Sequence, residues 1–409
     1  MIKGFNMRIF LILLILFKYS SLLISQNKVA LINANVIDGI NPLKKNMTIL
    51  IDEGKIQSIV KNLKPSKDYE TLNMKGLFIL PGFIDAHTHV RTIDGAKRAL
   101  ESGVTTARSA NTPYYQDVSL RQMVKSGNLI GPDIIAAGVF VTPNLNETIL
   151  ADTALGDLVN GVNNEKSLRK LVRINAKRGV DIIKTRGTER AGLPYTDPRK
   201  QTYTRQQLEI IVDEAAKYNL KVMAHAHGDE GGYAAVQAGV ISIEHGTYLT
   251  NRTLQLMKKK KVYLVPTYTT VVDLKEPGGD YDNPILFIRG QHMLPALERV
   301  VKSAYRMGIK IATGADTAYG PNSTSRVGME ITNFVKLGMT PYDAIQSATI
   351  IGAELLGIDK ITGTLSIGKE ADIIAITNNP LTNIQNIQDV VFVMNNGRIG
   401  LKRIPFDIK

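Results

Sequence analysis

The run Leu80-Pro81-Gly82-Phe83-Ile84-Asp85-Ala86-His87-Thr88-His89-Val90 is an apolar stretch that stops on two histidines one residue apart. Residues i and i+2 of a strand project from the same face, so His87 and His89 can offer two imidazoles to one metal ion, and such ligands suit zinc. Taken alone, the pair reads equally well as two histidines near a turn with no shared task. The pattern recurs, however: five of the six histidines fall in such places, with His225 and His227 closing Val222-Met223-Ala224-His225-Ala226-His227-Gly228 and His245 closing Ile241-Ser242-Ile243-Glu244-His245-Gly246. Each group ends a short apolar or β-branched run ahead of a polar or glycine-containing loop, as a buried strand does. Lys184 terminates Val180-Asp181-Ile182-Ile183, and Asp316 follows Ile309-Lys310-Ile311-Ala312-Thr313-Gly314-Ala315. Each charge by itself is a solvated strand terminus. Together, these residues require a fold that gathers the carboxyl ends of many strands at one face, which a (β/α)8 barrel does.

The middle of the chain alternates strand and helix. Candidate strands end near Asp85, Arg108, Ala137, Lys184, His225, His245, Pro266 and Asp316, eight in all. Helical stretches lie between them, among them Thr204 to Tyr218, opened by a Thr-x-x-Gln capping box with Gln207, and Ser325 to Leu337. Eight strands alternating with helices favour a closed parallel barrel over an open sheet. With 409 residues the chain has room for a barrel core and a smaller appendage. Both flanks read differently: Lys28 to Lys75 and Ala371 to Ile404 carry short alternating strands with turn signals at Asp38-Gly39, Asp52-Glu53-Gly54 and Asn395-Asn396-Gly397.

At the amino end, Lys3 and Arg8 precede the apolar run Ile9 to Phe17, followed by Ser20, Ser21, Ser25 and Gln26. This is the layout of a signal peptide over residues 1–25, with a run too short for a membrane span; an uncleaved anchor is the alternative. The expected destination is periplasmic or extracellular. Loss of residues 1–25 removes Lys3, Arg8 and Lys18 and no acid, lowering the formal charge of +13 by three. The run Lys258-Lys259-Lys260-Lys261 sits at the end of a helical segment, where cations suit the helix dipole, so it does not argue for nucleic acid. The chain has no cysteine, which excludes disulfides and thiolate ligands and leaves nitrogen and oxygen to hold any metal.

The order His-x-His, Lys, His, His, Asp at positions 87, 89, 184, 225, 245 and 316 resembles the amidohydrolase superfamily. Ser102-Gly103-Val104-Thr105-Thr106, Arg186 to Pro194, Ser242 to Thr247 and Gly363 to Asp372 look like its prolidase-like and imidazolonepropionase-like subgroup. The resemblance implies an α/β fold, a (β/α)8 TIM barrel over 79–363 with a small discontinuous β-sandwich domain from 27–78 and 364–409. It implies two divalent ions, expected to be zinc, roughly 3.5 to 4 Å apart and sharing a bridging hydroxide. His87, His89 and Asp316 would hold one ion and His225 and His245 the other. Lys184, carboxylated by carbon dioxide to a carbamate, would bridge them. Asp316 would double as general acid and base.

Substrate determinants are read from position. By strand alternation His227 points with His225, to a substrate carbonyl or to a supporting hydrogen bond. Arg186 and Arg190 can clamp a carboxylate, or pair with Glu189 or Asp181. Tyr268 and Tyr248 are candidate pocket walls, and His292 reads as surface. Where many prolidase-like relatives carry a glycine- and histidine-rich segment, this chain has Val141-Thr142-Pro143-Asn144-Leu145-Asn146-Glu147. The expected partner is a small-molecule substrate, with no nucleic acid, no stable membrane insertion after cleavage, and a homo-oligomer left open. The expected activity is hydrolysis of an amide bond, in a dipeptide such as Xaa-Pro or an N-acyl amino acid. The alternatives are a cyclic amide or lactone, or a silent binding barrel. Silent relatives lose ligands, and here all six positions hold a competent residue.

Overall fold

The computed structural model describes residues 28–279 and 281–403, so the leader expected over 1–25 lies outside the described residues. Among them no helix is long and apolar enough to cross a membrane. Strands Phe83–Thr88, Val104–Ser109 and Asp133–Ile135 pair in parallel, as do Ile182–Arg186, Lys221–Ala226, Ser242–His245 and Tyr263–Val265. Two seams join these groups. At one, the Asp181 and Ile182 amides reach the Ala136 carbonyl at 2.7 and 3.2 Å, and Val141 N donates to Lys184 O at 2.9 Å. At the other, Ile311 bridges Leu264 while Ala86 N donates to Thr313 O at 2.9 Å. Residues 310–313 thus form the eighth stave, and the barrel closes. That stave is short because Gly314 passes so near the first one that a Cβ there would stand 2.7 Å from His87 Cβ.

Helices cover the outside for local reasons legible in sequence. The helix Arg205–Ala216 starts at Thr204, whose side chain accepts from Gln207 N while Gln207 returns a bond to Thr204 N, and Asn164 and Ser167 box the start of Glu165–Lys177 in the same way. One apolar cluster, containing Phe83, Ile183, Val222 and Ile243 among others, fills the space between staves and helices.

The chain ends build a second unit. Hydrogen bonds join eight strands into one sheet, ordered Arg398–Lys402, Val390–Asn395, Ile373–Ile376, Phe78–Pro81, Val29–Val36, Lys44–Asp52 and Lys55–Lys61, with Glu70–Asn73 also on Val29–Val36. It has its own apolar cluster, including Leu31, Ile49, Leu72, Ile79, Ile373 and Phe392. The boundary drawn after residue 78 shifts to Gly82, because Ile79 and Leu80 pair antiparallel with Ala375 and Ile374. The first barrel stave therefore begins one residue beyond a strand whose neighbour comes from the far end of the chain.

Candidate metal centre

The carboxyl ends of the staves bring His87, His89, Lys184, His225, His227, His245 and Asp316 around one cavity of about 50 Å³, whose wall also includes Asn111, Phe140, Arg190 and Tyr281. Asp316 Oδ1 lies 3.0 Å from His89 Nε2 and 3.4 Å from His87 Nε2. His245, Thr267 and Asp316 have φ of 72°, 46° and 48°, left-handed values that cost about 1–3 kcal/mol each in residues other than glycine. Tertiary bonds hold them there: Asp316 N donates to His87 O at 2.7 Å, and the His245 Nδ1 and Thr267 Oγ1 atoms are 2.6 Å apart.

His87 is backed by charge. Its Nδ1 sits 2.7 Å from Glu244 Oε2, both side chains being essentially inaccessible. Fully buried Arg108 donates through Nη2 to both Glu244 oxygens at 3.0 Å and through Nε to Ala86 O at 2.6 Å, while Ser242 Oγ donates to Glu244 at 2.5 Å. Burial pushes the Glu244 carboxyl up, but the Arg108 charge and the His87 hydrogen bond outweigh it and hold it down at about 2. An ionised Glu244 accepts a hydrogen bond from the Nδ1–H of His87 and so turns Nε2 toward Asp316 and the cavity. Below it, Asp85 accepts from His87 N at 3.1 Å, Ala315 N at 3.0 Å and the Tyr319 hydroxyl at 2.7 Å, and burial pushes its carboxyl up to about 6. For Asp316, burial raises the carboxyl but His87 and His89 hold it well below the usual range, so it is a carboxylate.

The other histidines form a tight group, with ring centroids of His225, His227 and His245 4.6 to 4.8 Å apart. Their backing is neutral: His225 Nε2 lies 3.0 Å from Glu189 O, and His227 Nδ1 lies 2.8 Å from Thr247 Oγ1. Burial drives His225 and His245 well below the usual imidazole range and His227 down to about 3, so all three are neutral and able to ligate. Two sets have ligand atoms within 4.8 Å of one another, His225 with His227 and His245, and His87 with His245 and Asp316. His227 thus packs beside two other possible ligands, a position that strand alternation had left open between a substrate carbonyl and a supporting hydrogen bond.

Lys184 is the odd member. Its Nζ is buried with no hydrogen-bond partner and lies 5.8 Å from the Phe140 ring centre. Burial lowers its pKa to about 8, so roughly a tenth of the amine is uncharged at neutrality, far more than for an ordinary lysine. An orphaned, nucleophilic amine among neutral imidazoles fits the uptake of a carboxyl group, which would give divalent ions two anionic oxygens.

Among the softer candidates, only Arg190 lines the cavity. The Arg186 guanidinium stacks on the Phe140 ring at 4.7 Å, off the cavity wall, and Glu189 and Asp181 pair instead with Lys200 and Arg121. Tyr248 is turned outward, its hydroxyl 3.1 Å from Nδ1 of exposed His292. Tyr268 follows left-handed Thr267 and donates its hydroxyl to Glu298 at 3.0 Å and its amide to Glu330 at 2.8 Å. Arg186, Tyr248 and Tyr268 do not line the cavity. The residues that sequence reasoning missed are Asn111, Phe140 and Tyr281 on the wall and the Glu244 and Arg108 pair behind His87. The one available signal was a pair of charges inside otherwise apolar strands.

The amidohydrolase family model matches residues 78–400. This chain belongs to the amidohydrolase family. Its relatives include an ochratoxinase of Aspergillus niger, 27% identical over 336 residues that span 77% of this chain and 69% of the relative. An imidazolonepropionase of Kosmotoga olearia is 24% identical over 401 residues, 87% of this chain and 91% of the relative. The crystal structure of a Xaa-Pro dipeptidase with bound methionine in its active site matches with a TM-score of 0.81 at 28% identity, covering 91% of this chain and 99% of that one. This amidohydrolase is accordingly a hydrolase of carbon–nitrogen bonds, and its two histidine sets could hold the divalent ions with which the family works.

Proposed function

We propose that this amidohydrolase is an exported enzyme that hydrolyses the amide bond of a dipeptide such as Xaa-Pro or of an N-acyl amino acid. The observation that carries the reading is the buried, partnerless Lys184 amine set among five histidines and Asp316. In this proposal His87, His89 and Asp316 hold one zinc ion and His225 and His245 a second, with carboxylated Lys184 between them and His227 beside the second set. When bound, the ions lower the pKa of a shared water toward about 7 and polarise the substrate carbonyl.

The chain's own groups supply the rest. Asp316, held as a carboxylate in contact with His87 and His89, accepts the proton of the attacking water and returns it to the leaving amine. Arg190 on the cavity wall supplies a fork for the carboxylate that a dipeptide or acyl amino acid carries. Glu244 and Arg108 keep His87 in one tautomer and orientation. A second reading, hydrolysis of a cyclic amide, draws support from the imidazolonepropionase relative, 91% of which is covered.

Screening the metal-loaded protein against dipeptides, N-acyl amino acids and cyclic amides tests the reading. Turnover of dipeptides or N-acyl amino acids with a free carboxylate supports it, and turnover confined to cyclic amides replaces it with the second. Export is tested by N-terminal sequencing of secreted protein, for which cleavage of 1–25 gives a start at Gln26. A start at Met1 or Met7 would refute cleavage.

A further inference from the structure

Away from the metal centre a cavity of about 290 Å³ opens between the helix Ile93–Glu101, the loop 319–328 and the short helix Ile384–Gln388. Three arginines line it, Arg98, Arg326 and Arg403, together with Ser325 and Gln388, and among the described residues Glu101 is the single acid on its wall. Among the described residues none of the three arginines forms an ion pair. Arg98 spends Nε on the Tyr319 carbonyl at 2.6 Å and Arg403 spends Nη1 on the Val390 carbonyl at 3.2 Å, which fixes both stems and leaves the other fork donors open. The helix Val327–Lys336 starts at Arg326 with no side chain capping it, so its positive end adds to the same side. Like charges gathered around a concave wall repel one another until a counter-ion enters, and planar guanidinium forks match a tetrahedral oxyanion.

We propose that this cavity is a binding site for a small phosphoryl-bearing anion. Three guanidinium groups against one carboxylate leave an excess of two positive charges, which a phosphate dianion neutralises where a monocarboxylate would not. The volume exceeds that of inorganic phosphate, so a small organic phosphate ester fits as well as the free ion. The site is separate from the metal centre, meeting its framework through Tyr319, whose hydroxyl bonds Asp85, and through Ser323, whose hydroxyl lies 2.7 Å from that of Thr317 beside Asp316.

The test is calorimetric titration of the metal-loaded full chain with inorganic phosphate and with glycerol 3-phosphate. The variants are Arg326→Gln/Arg403→Gln and, singly, Arg326→Glu. Both positions are exposed, so folding is undisturbed, and Arg98 is left in place because it holds Tyr319. Each lost charge-assisted contact weakens binding by roughly tenfold, so the double variant binds about 100-fold more weakly while amide hydrolysis is unchanged. Tighter binding of glycerol 3-phosphate supports an ester as the ligand, and equal affinity supports the free ion. No binding by the wild-type chain, or binding of equal strength in the arginine variants, overturns the proposal, the latter by placing the anion elsewhere, such as at the metal centre.

Discussion

The chain uses His-x-His twice, at the ends of Phe83–Thr88 and Lys221–Ala226, and the two pairs sit in opposite electrostatic settings. Around His87 stand buried Glu244 and Asp85 and partly buried Asp316, all within hydrogen-bond range of its ring or its amide. Around His225 and His227 the nearest partners are a carbonyl and a threonine hydroxyl. A carboxylate beside a divalent ion offsets part of its charge directly, whereas neutral imidazoles ligate it and leave the charge to be offset by another anion at the site. One motif therefore serves two tasks, and the neutral half depends on an anion from elsewhere, the role we give Lys184.

Four experiments bear on that contrast, and the largest effect is expected at Lys184. Lys184→Ala should lose at least one metal equivalent and most activity, and added short carboxylates should return part of the activity by standing in for the carbamate. Metal analysis at wild-type occupancy would remove Lys184 from the bridge. Next comes Asp316→Asn, whose amide oxygen still coordinates weakly but takes no proton. It should keep much of the metal and lose roughly 10² to 10⁴ in kcat, and a variant with unchanged kcat and only a raised KM would assign Asp316 to substrate binding instead.

Breaking the charged support should hurt more than breaking the neutral one. Glu244→Gln should weaken one metal site by about 10–100-fold and, by leaving Arg108 buried without a carboxylate, cost about 3–5 kcal/mol of stability. Thr247→Val beside His227 should cost about 1 kcal/mol. Equal losses in the two variants, by metal titration and denaturant melts, would erase the distinction drawn between the halves.

The last expected effect is one of pH. Glu330 accepts the Tyr268 and Thr269 amides and so steadies the segment after Thr267, which holds His245. Burial raises its carboxyl from 4.5 to about 7. A carboxyl raised in the folded state favours folding below its unfolded pKa, and that contribution disappears as pH climbs through the folded value. Glu330→Gln should therefore gain on the wild type between pH 4.5 and 7, by up to about 3 kcal/mol for a shift of this size. Parallel stability curves for the two proteins would show that Glu330 does not titrate in this window.

What the sequence revealed depended on how locally each feature is encoded. His87, His89, Lys184, His225, His245 and Asp316 were legible because a strand alternates with period two and its end is marked by the residues that follow. Arg108 and Glu244 were visible as charges, but their partnership spans 136 positions and no local pattern carries it. Tyr268 follows a left-handed residue, Thr267, and does not line the cavity, and a threonine gives no warning of a positive φ. The β character of both flanks was plain, their union in one domain came from family resemblance alone, and the pairing of Ile79 with Ala375 was visible only in the structure.

That pairing also sets an order of events. The strand that leads into the first stave lies between Val29–Val36 and Ile373–Ile376 in the sheet, so its second neighbour does not exist until nearly the whole chain has been synthesised. Contacts of such long sequence separation form late and slowly. Through most of its synthesis the polypeptide holds its histidines on a ring whose first member lacks an anchor. A ribosome that stops before residue 373 leaves a product that has every histidine but lacks the strand that flanks Phe78–Pro81.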